Sequence, residues 1–184
     1  MGMDEGTGRV EERKVNQGVI RIRIGFIIDL EIEAIVHYAR PDLVLGAGFG
    51  NAIATTGGPK IQEELKTFGA RNTTDAVVTG GGNLKAKFVV HAVGPQFEEE
   101  GYEQKLASTI RNALEIAEEK GIQRIAFPAM GAGFYGVPLD GCARISMETS
   151  KNFLQASEKI KEILFCLRDS REYEAFREQM GRIK

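Results

Sequence analysis

The sequence predicts an α/β sandwich in which helices cover a mixed or parallel β-sheet. Two observations predict this fold class: short apolar or alternating segments typical of strands recur along the chain, and segments with helical spacing separate them. A third observation is the glycine content, 22 of 184 residues, which exceeds the usual share of about 7%. Because clusters of glycine follow predicted strands, we expect the backbone there to turn sharply or to let a ligand come close.

Strand candidates are recognised by alternation or by β-branched side chains. Residues 20–24 alternate isoleucine with arginine, which is the period of a strand with one buried face. Residues 87–93 are rich in valine and end at Gly94-Pro95. The predicted strands are residues 20–24, 34–36, 76–79, 87–93, 125–127 and 160–167.

The predicted helices are bounded by proline and glycine. Pro59 and Pro138 each suit the first position of a helix, and Gly121 suits the residue that follows one. Between them, residues 102–120 carry apolar side chains at amphipathic spacing. The predicted helices cover a short stretch through residue 53 and residues 59–68, 102–120, 138–157 and 173–180.

Length and composition favour one domain over residues 15–184, preceded by a mobile N-terminal segment, residues 1–14, which is polar and aperiodic. The net charge of −2 argues against the basic surface that duplex DNA requires, so no sequence-specific DNA binding is expected. Cys142 and Cys166 are too few for a disulfide framework, and no apolar run approaches about 20 residues. We therefore expect a cytoplasmic protein with no membrane partner.

Two glycine clusters are the main candidates for chemistry, residues 46–50 and residues 131–136, since each follows an apolar segment and precedes a helix. Helix N-terminal amides without side-chain obstruction bind phosphate, and the alternative is two tight turns without a ligand. The second cluster matches G-x-G-x-x-G, but a dinucleotide-binding fingerprint belongs in the first strand–helix turn of a Rossmann fold. The aromatic residues Phe49, Phe134 and Tyr135 suit the face of a sugar or base, or else cover the core.

The order of these motifs resembles the macro domain, the ADP-ribose-binding module of the Appr-1''-p processing family. The most specific match is residues 125–129 (IAFPA) followed by residues 131–138 (GAGFYGVP). The segment KFVVHAVGP, residues 87–95, is also close to the family pattern. Further matches are residues 34–36 with 46–53, and residues 77–79 with 82–84; the resemblance spans about residues 18–180.

This resemblance implies a three-layer α/β/α sandwich around a central mixed sheet. It also implies that the two glycine clusters hold the diphosphate and the distal ribose of ADP-ribose. No cofactor is implied, and no spacing of histidine, cysteine and carboxylate residues indicates a metal site. The implied ligand-binding residues are Gly46, Ala47, Gly48, Phe49, Gly50 and Asn51, then Gly131, Ala132, Gly133, Phe134, Tyr135 and Gly136, and also Phe26, Ile27, His37 and Arg40.

Four of these positions depart from the family pattern. Phe26 stands where the family has an aspartate for the adenine amino group, so that hydrogen-bond acceptor is lost. His37 and Arg40 replace the two asparagines of the family's Asn-Ala-Ala-Asn. Gly50 stands where hydrolytic members often have an aspartate. Arg40 adds a cation that favours a more anionic ligand, or else is a surface arginine.

The candidates for a catalytic role are His37 and Asn51. His37 is a candidate general base near pH 7, and the alternative is a structural histidine. His91 lies in a strongly apolar predicted strand and is interpreted as a core residue.

Two functions remain open at this point. In the first, the protein binds ADP-ribose or a derivative, and as an enzyme it would hydrolyse ADP-ribose-1''-phosphate or ADP-ribosyl or O-acetyl-ADP-ribose linkages. In the second, it is a diverged, non-catalytic macro domain that binds another nucleotide or RNA, or serves as an interaction module. The expected partners are ADP-ribose or a related nucleotide, with an ADP-ribosylated protein or poly(A)-like RNA as further candidates.

Overall fold

Strands and helices alternate through most of the chain in the computed structural model, which describes residues 9–133 and 135–184. The strands are β1 (Val10–Val15), β2 (Gly18–Ile24), β3 (Ala34–Ala39), β4 (Ala76–Gly80), β5 (Phe88–Val93), β6 (Arg124–Phe127) and β7 (Glu162–Leu167). The helices are α1 (Gly48–Gly57), α2 (Lys60–Lys66), α3 (Tyr102–Glu119), α4 (Leu139–Ala156) and α5 (Ser170–Met180), with one 3-10 turn at Ile27–Asp29.

The strands form one mixed sheet in the order β1-β2-β7-β6-β3-β5-β4. Neighbours from β2 to β5 pair in parallel, whereas β1 and β4 pair antiparallel at the two edges. Because parallel strands end at the same edge of a sheet, the segments after β2, β3, β5, β6 and β7 meet there.

Helices cover both faces of the sheet, and each face has its own apolar core. Alternation along β3 divides the side chains: Val36 and Tyr38 face α3, α4 and α5, whereas Ile35 and Ala39 face α1 and α2. The predicted three-layer α/β/α sandwich with a mixed sheet is therefore confirmed. Within the described residues no helix is long and apolar enough to cross a bilayer.

The N-terminal boundary differs from the prediction. Residues 10–14 were expected to be mobile, but they form most of β1, in register with β2 from Val10 opposite Arg23 to Val15 opposite Gly18. Their charged sequence suits an edge strand, because exposed charges there discourage pairing with other chains. Glu12 accepts a hydrogen bond from Arg21 at 2.7 Å. Residues 1–8 lie outside the described part of the chain.

The last helix begins earlier than the apolar spacing predicts, at Ser170 rather than at Tyr173. Asp169 caps it, since its carboxylate accepts a hydrogen bond from the Glu172 backbone amide at 2.9 Å. The preceding residue, Arg168, is thereby placed at the carboxyl edge of the sheet.

Gly94 is the residue that lets Tyr38 lie against the backbone after β5. The Tyr38 hydroxyl donates a hydrogen bond to the Pro95 carbonyl, and the Tyr38 ring lies 4.4 Å from that of Tyr135. A Cβ at position 94 would overlap the Tyr38 ring. Only glycine therefore fits at this position without displacing a ring that is held from two sides.

We expect Gly94→Ala to lower the free energy of unfolding by about 3 kcal/mol, the upper end of overpacking costs, because Tyr38 cannot easily move away. Urea denaturation measures the change. Gly80→Ala is the control, since a Cβ there would meet nothing within 4 Å; it should cost less than about 1 kcal/mol. Equal losses in the two variants would contradict the packing argument.

Candidate functional site

The two glycine clusters lie side by side at the carboxyl edge of the sheet. The first glycine loop, residues 46–51, follows β3 and runs into α1, and the second glycine loop, residues 131–136, follows β6 and leads to α4. Strands β3 and β6 are neighbours in the sheet, with Ala34 opposite Ile125. The fold thus brings together two segments that are about 80 positions apart in the printed sequence.

The first turn of α1 has backbone amides that find no acceptor carbonyl within the helix. Ala47 is the N-cap residue and has no side-chain acceptor to bond them. Asn51 is the first residue whose amide bonds back to the Ala47 carbonyl, at 3.4 Å. Gly48 has a φ of +54°, and a Cβ there would meet nothing within 4 Å. An uncapped helix start with open space beside it has the geometry that favours binding of an anion.

A side chain of α2 holds the segment that leads into the first glycine loop. Gln62 accepts a hydrogen bond from the Leu45 amide at 2.8 Å and donates one to the Leu43 carbonyl at 3.2 Å. Leu43 itself has a φ of +57°, a conformation that needs such support. Gln62 could not be predicted from the sequence, because no local signal connects a helix side chain to a loop 17 residues earlier.

The second glycine loop uses glycine where the backbone is left-handed. Gly131, Gly133 and Gly136 have φ values of +81°, +83° and +74°. A Cβ on Gly131 would lie 3.2 Å from the Tyr38 ring, so the loop also approaches that ring closely. The expected tight turn is therefore present. Ala132 is half-buried within it, and Phe134, a predicted ligand-binding residue, lies outside the described residues.

Arg40 places a cation beside the first glycine loop. Its Nη1 lies 3.4 Å from the position that a Cβ of Gly46 would take. Its Nη2 forms an ion pair of 2.8 Å with Asp42, and half of the side chain remains exposed. The guanidinium is therefore at the loop and still accessible, although the Asp42 carboxylate offsets part of its charge.

His37 lies beneath the first glycine loop and is buried. Its Nε2 is 3.2 Å from the position that a Cβ of Gly50 would take, and the edge of its ring faces Phe49 at 5.7 Å between centroids. Burial lowers the pKa of His37 to about 4. The ring is consequently neutral at pH 7 and a weaker base than the sequence analysis expected.

The other catalytic candidate, Asn51, is exposed on the first turn of α1. Among the described residues no hydrogen bond joins its side chain to that of His37, whose ring bonds to His91. Nor does the described part of the chain contain a group of three histidine, cysteine or carboxylate residues able to hold a metal ion.

Phe26 and Arg168 lie at the carboxyl edge of the sheet, after β2 and β7. Both follow neighbouring strands, which the Gly25 amide and the Leu167 carbonyl join at 2.9 Å. Phe26 is 76% exposed, and the next residue, Ile27, packs on the α1 side of the sheet. Arg168 approaches the second glycine loop, since its Nη2 is 3.3 Å from the Cβ position of Gly133. Arg168 is not among the residues predicted from the sequence, although its place after the last strand is a usable signal.

The sequence of this chain matches a protein-family model and several known proteins. The family model for the macro domain matches residues 36–146. The chain belongs to the macro domain family. A macro domain-containing protein of Caldanaerobacter subterraneus subsp. tengcongensis is 41% identical over 163 residues, which cover 85% of this chain and 93% of the relative. One from Methanosarcina mazei is 40% identical over 155 residues, 82% of this chain and 83% of the relative.

Solved structures place the whole fold among macro domains. An Oceanobacillus iheyensis macrodomain with ADP has a TM-score of 0.91 at 26% identity, covering 96% of this chain and 97% of that one. A Trypanosoma brucei macrodomain in complex with ADP has a TM-score of 0.83 at 29% identity, covering 88% of this chain and 69% of that one. The resemblance inferred from the motifs is thus confirmed for the family and for the fold.

We expect the free energy of unfolding of this macro domain to fall as the pH drops below about 6.5. His37 is then protonated in the unfolded state but not in the folded state, where its pKa is about 4. Its contribution to the free energy of unfolding is therefore fully present above about pH 6.5 and is lost as the pH falls toward 4. At about pH 5.5, protonation of His37 alone should lower the free energy of unfolding by about 1.4 kcal/mol. His91, whose pKa burial also lowers, acts in the same direction. Urea denaturation at several pH values measures the slope.

His37→Asn is the matching control for this pH dependence, because it removes one titrating ring and leaves His91. The slope between about pH 7.5 and pH 5.5 should become shallower in the variant. An unchanged slope would show that His37 titrates equally in the folded and unfolded states.

Proposed function

We propose that this macro domain binds ADP-ribose or a derivative through its two glycine loops. One observation carries the proposal: the uncapped first turn of α1 lies next to a second loop whose glycines have positive φ and of which Gly133 and Gly136 are exposed. A diphosphate is the anion that suits such a pair of loops, since it has phosphate oxygens for amide donors from both. The macrodomains of Oceanobacillus iheyensis and Trypanosoma brucei named above were solved with ADP, which contains this group.

The charges near the loops support an anionic ligand. The helix dipole of α1 adds partial positive charge at Gly48 and its neighbours. Arg40 adds a full charge at Gly46. Since neutral His37 contributes no charge at pH 7, the attraction for phosphate comes from the amides and from Arg40.

The base of the nucleotide would lie near an aromatic side chain. Phe26, which replaces the family's aspartate, is exposed at the end of β2. An aromatic side chain stacks on the face of any base and does not read a hydrogen-bonding edge. We therefore propose that the diphosphate and the distal ribose supply most of the affinity and that selection for adenine is weak.

Hydrolysis of ADP-ribose-1''-phosphate is a second candidate function, and the position of Arg40 favours it. A phosphate on the distal ribose adds charge that an accessible guanidinium near the first glycine loop would bind. Position 50 has no carboxylate, so the attacking water would be oriented by loop amides and by the substrate itself.

The alternative, a module for RNA or for another nucleotide, is motivated by the changes at Phe26, His37 and Arg40. A thermal-shift screen with ADP-ribose, ADP-ribose-1''-phosphate, other nucleotides and poly(A) separates the functions. If poly(A) alone raises the melting temperature, the module interpretation replaces the proposed one.

We expect Gly48→Val to abolish measurable ADP-ribose binding, because a side chain there projects into the open space beside the amides. Isothermal titration calorimetry measures the affinity. Gly121→Val is the matched control, since Gly121 is also exposed, has a φ of +76° and would place its Cβ in open space at the opposite edge of the sheet. Retained binding in Gly48→Val would show that these amides do not contact phosphate.

We expect Arg40→Gln to weaken ADP-ribose-1''-phosphate binding about tenfold and ADP-ribose binding less than about threefold, because a charge-assisted hydrogen bond to the extra phosphate is lost. Arg111→Gln on α3 is the control, an exposed arginine that is also paired, with Glu115. If Arg40→Gln weakens the two ligands equally, Arg40 does not bind the terminal phosphate.

A further inference from the structure

A buried chain of three polar side chains runs beneath the first glycine loop, and we infer that it sets the chemistry of His37. We propose that Thr79 and His91 are positioning residues that hold the His37 ring in the tautomer with an unprotonated Nε2. This nitrogen then accepts a hydrogen bond from a hydroxyl of the sugar beyond the diphosphate. The inference rests on the proposed function for its ligand, but the tautomer belongs to the free protein.

The chain crosses three neighbouring strands, β4, β5 and β3. Thr79 Oγ1 lies 2.9 Å from His91 Nε2, and His91 Nδ1 lies 3.1 Å from His37 Nδ1. The exposed fractions of Thr79, His91 and His37 are 1%, 0% and 6%. Thr79 and His91 are fully enclosed, whereas His37 keeps a small exposed fraction and its ring lies against Gly50 of the first glycine loop.

The number of protons in this chain determines the direction of its hydrogen bonds. Burial lowers the pKa of both rings, so each ring is neutral and carries one N–H. The Thr79 hydroxyl has one proton and donates it to the Gly80 carbonyl at 3.0 Å. Its oxygen must then accept from His91 Nε2–H.

The proton position on His37 follows from that on His91. With its proton on Nε2, His91 has a lone pair on Nδ1, and the short approach to His37 Nδ1 requires a proton from that ring. His37 therefore carries its proton on Nδ1 and a lone pair on Nε2. The reverse arrangement would require Thr79 to give up its hydrogen bond to Gly80.

The position of this lone pair explains what it can bind. Nε2 lies 3.2 Å from the Cβ position of Gly50, where glycine leaves the space without a side chain. The neighbouring groups of the first turn of α1 are amide donors, which suit phosphate oxygens. A sugar hydroxyl next to the diphosphate needs an acceptor, and His37 Nε2 supplies one among these donors.

The first experiment measures the tautomers in the free protein. The chain has two histidines, so long-range ¹H–¹⁵N correlation of the labelled rings gives two patterns. Nuclear Overhauser contacts with Phe49 identify His37, whose ring faces it. We expect an Nδ1–H pattern for His37 and an Nε2–H pattern for His91. An Nε2–H pattern for His37 would overturn the proposal.

The second experiment removes the hydroxyl with Thr79→Val, which preserves the shape of the side chain. We expect both histidines to become tautomeric mixtures and ADP-ribose to bind about fivefold more weakly, the loss of one hydrogen bond. ADP, which lacks the second sugar, should bind as in the wild type. Thr79→Ser should restore both the tautomers and the affinity.

Thr109→Val controls for the loss of a buried threonine hydroxyl, because Thr109 is also fully buried but lies on α3. It should change neither the tautomers nor the two affinities. Equal weakening of ADP and ADP-ribose by Thr79→Val, or unchanged tautomers, would overturn the proposal. If the wild type binds neither ligand, the proposed function fails, and the ring spectra still show separately whether Thr79 and His91 fix the tautomer.

Discussion

The parallel pairing of β3 with β6 is the constraint on which the site depends. Since both strands end at the same edge, the two glycine loops emerge next to each other and neither has to reach far. Hydrogen bonds within the sheet hold this spacing. The loops can therefore be rich in glycine and still hold a defined shape, because the strands before them and the helices after them are fixed by packing.

Much of the fold follows from local pattern, and this part could be predicted from the sequence. Alternation predicted β2, the valine-rich segment predicted β5, and amphipathic spacing predicted α3. The strand β1 was missed because an edge strand buries little, so its charged residues resemble a tail. Its place depends on pairing with β2, which no window of a few residues contains.

The residues of the candidate site were likewise only partly predictable from the sequence. The glycine loops and their neighbours were recognisable because glycine at positive φ leaves a direct signal in the sequence. The residues that support them, Gln62, Tyr38 and Thr79, left none, because each acts across the sheet or from another helix. The weak basicity of His37 was equally hidden, since it results from burial that the whole fold creates.

Consecutive residues of β3 serve the two loops from opposite faces, His37 beneath the first and Tyr38 beneath the second. A slip of one residue in the register of this strand would exchange the two rings between the faces. Both loops would then lose their support in the same event, and the polar ring would enter the apolar core. Ligand binding therefore requires the correct register of β3, because a slip would remove the support of both loops at once.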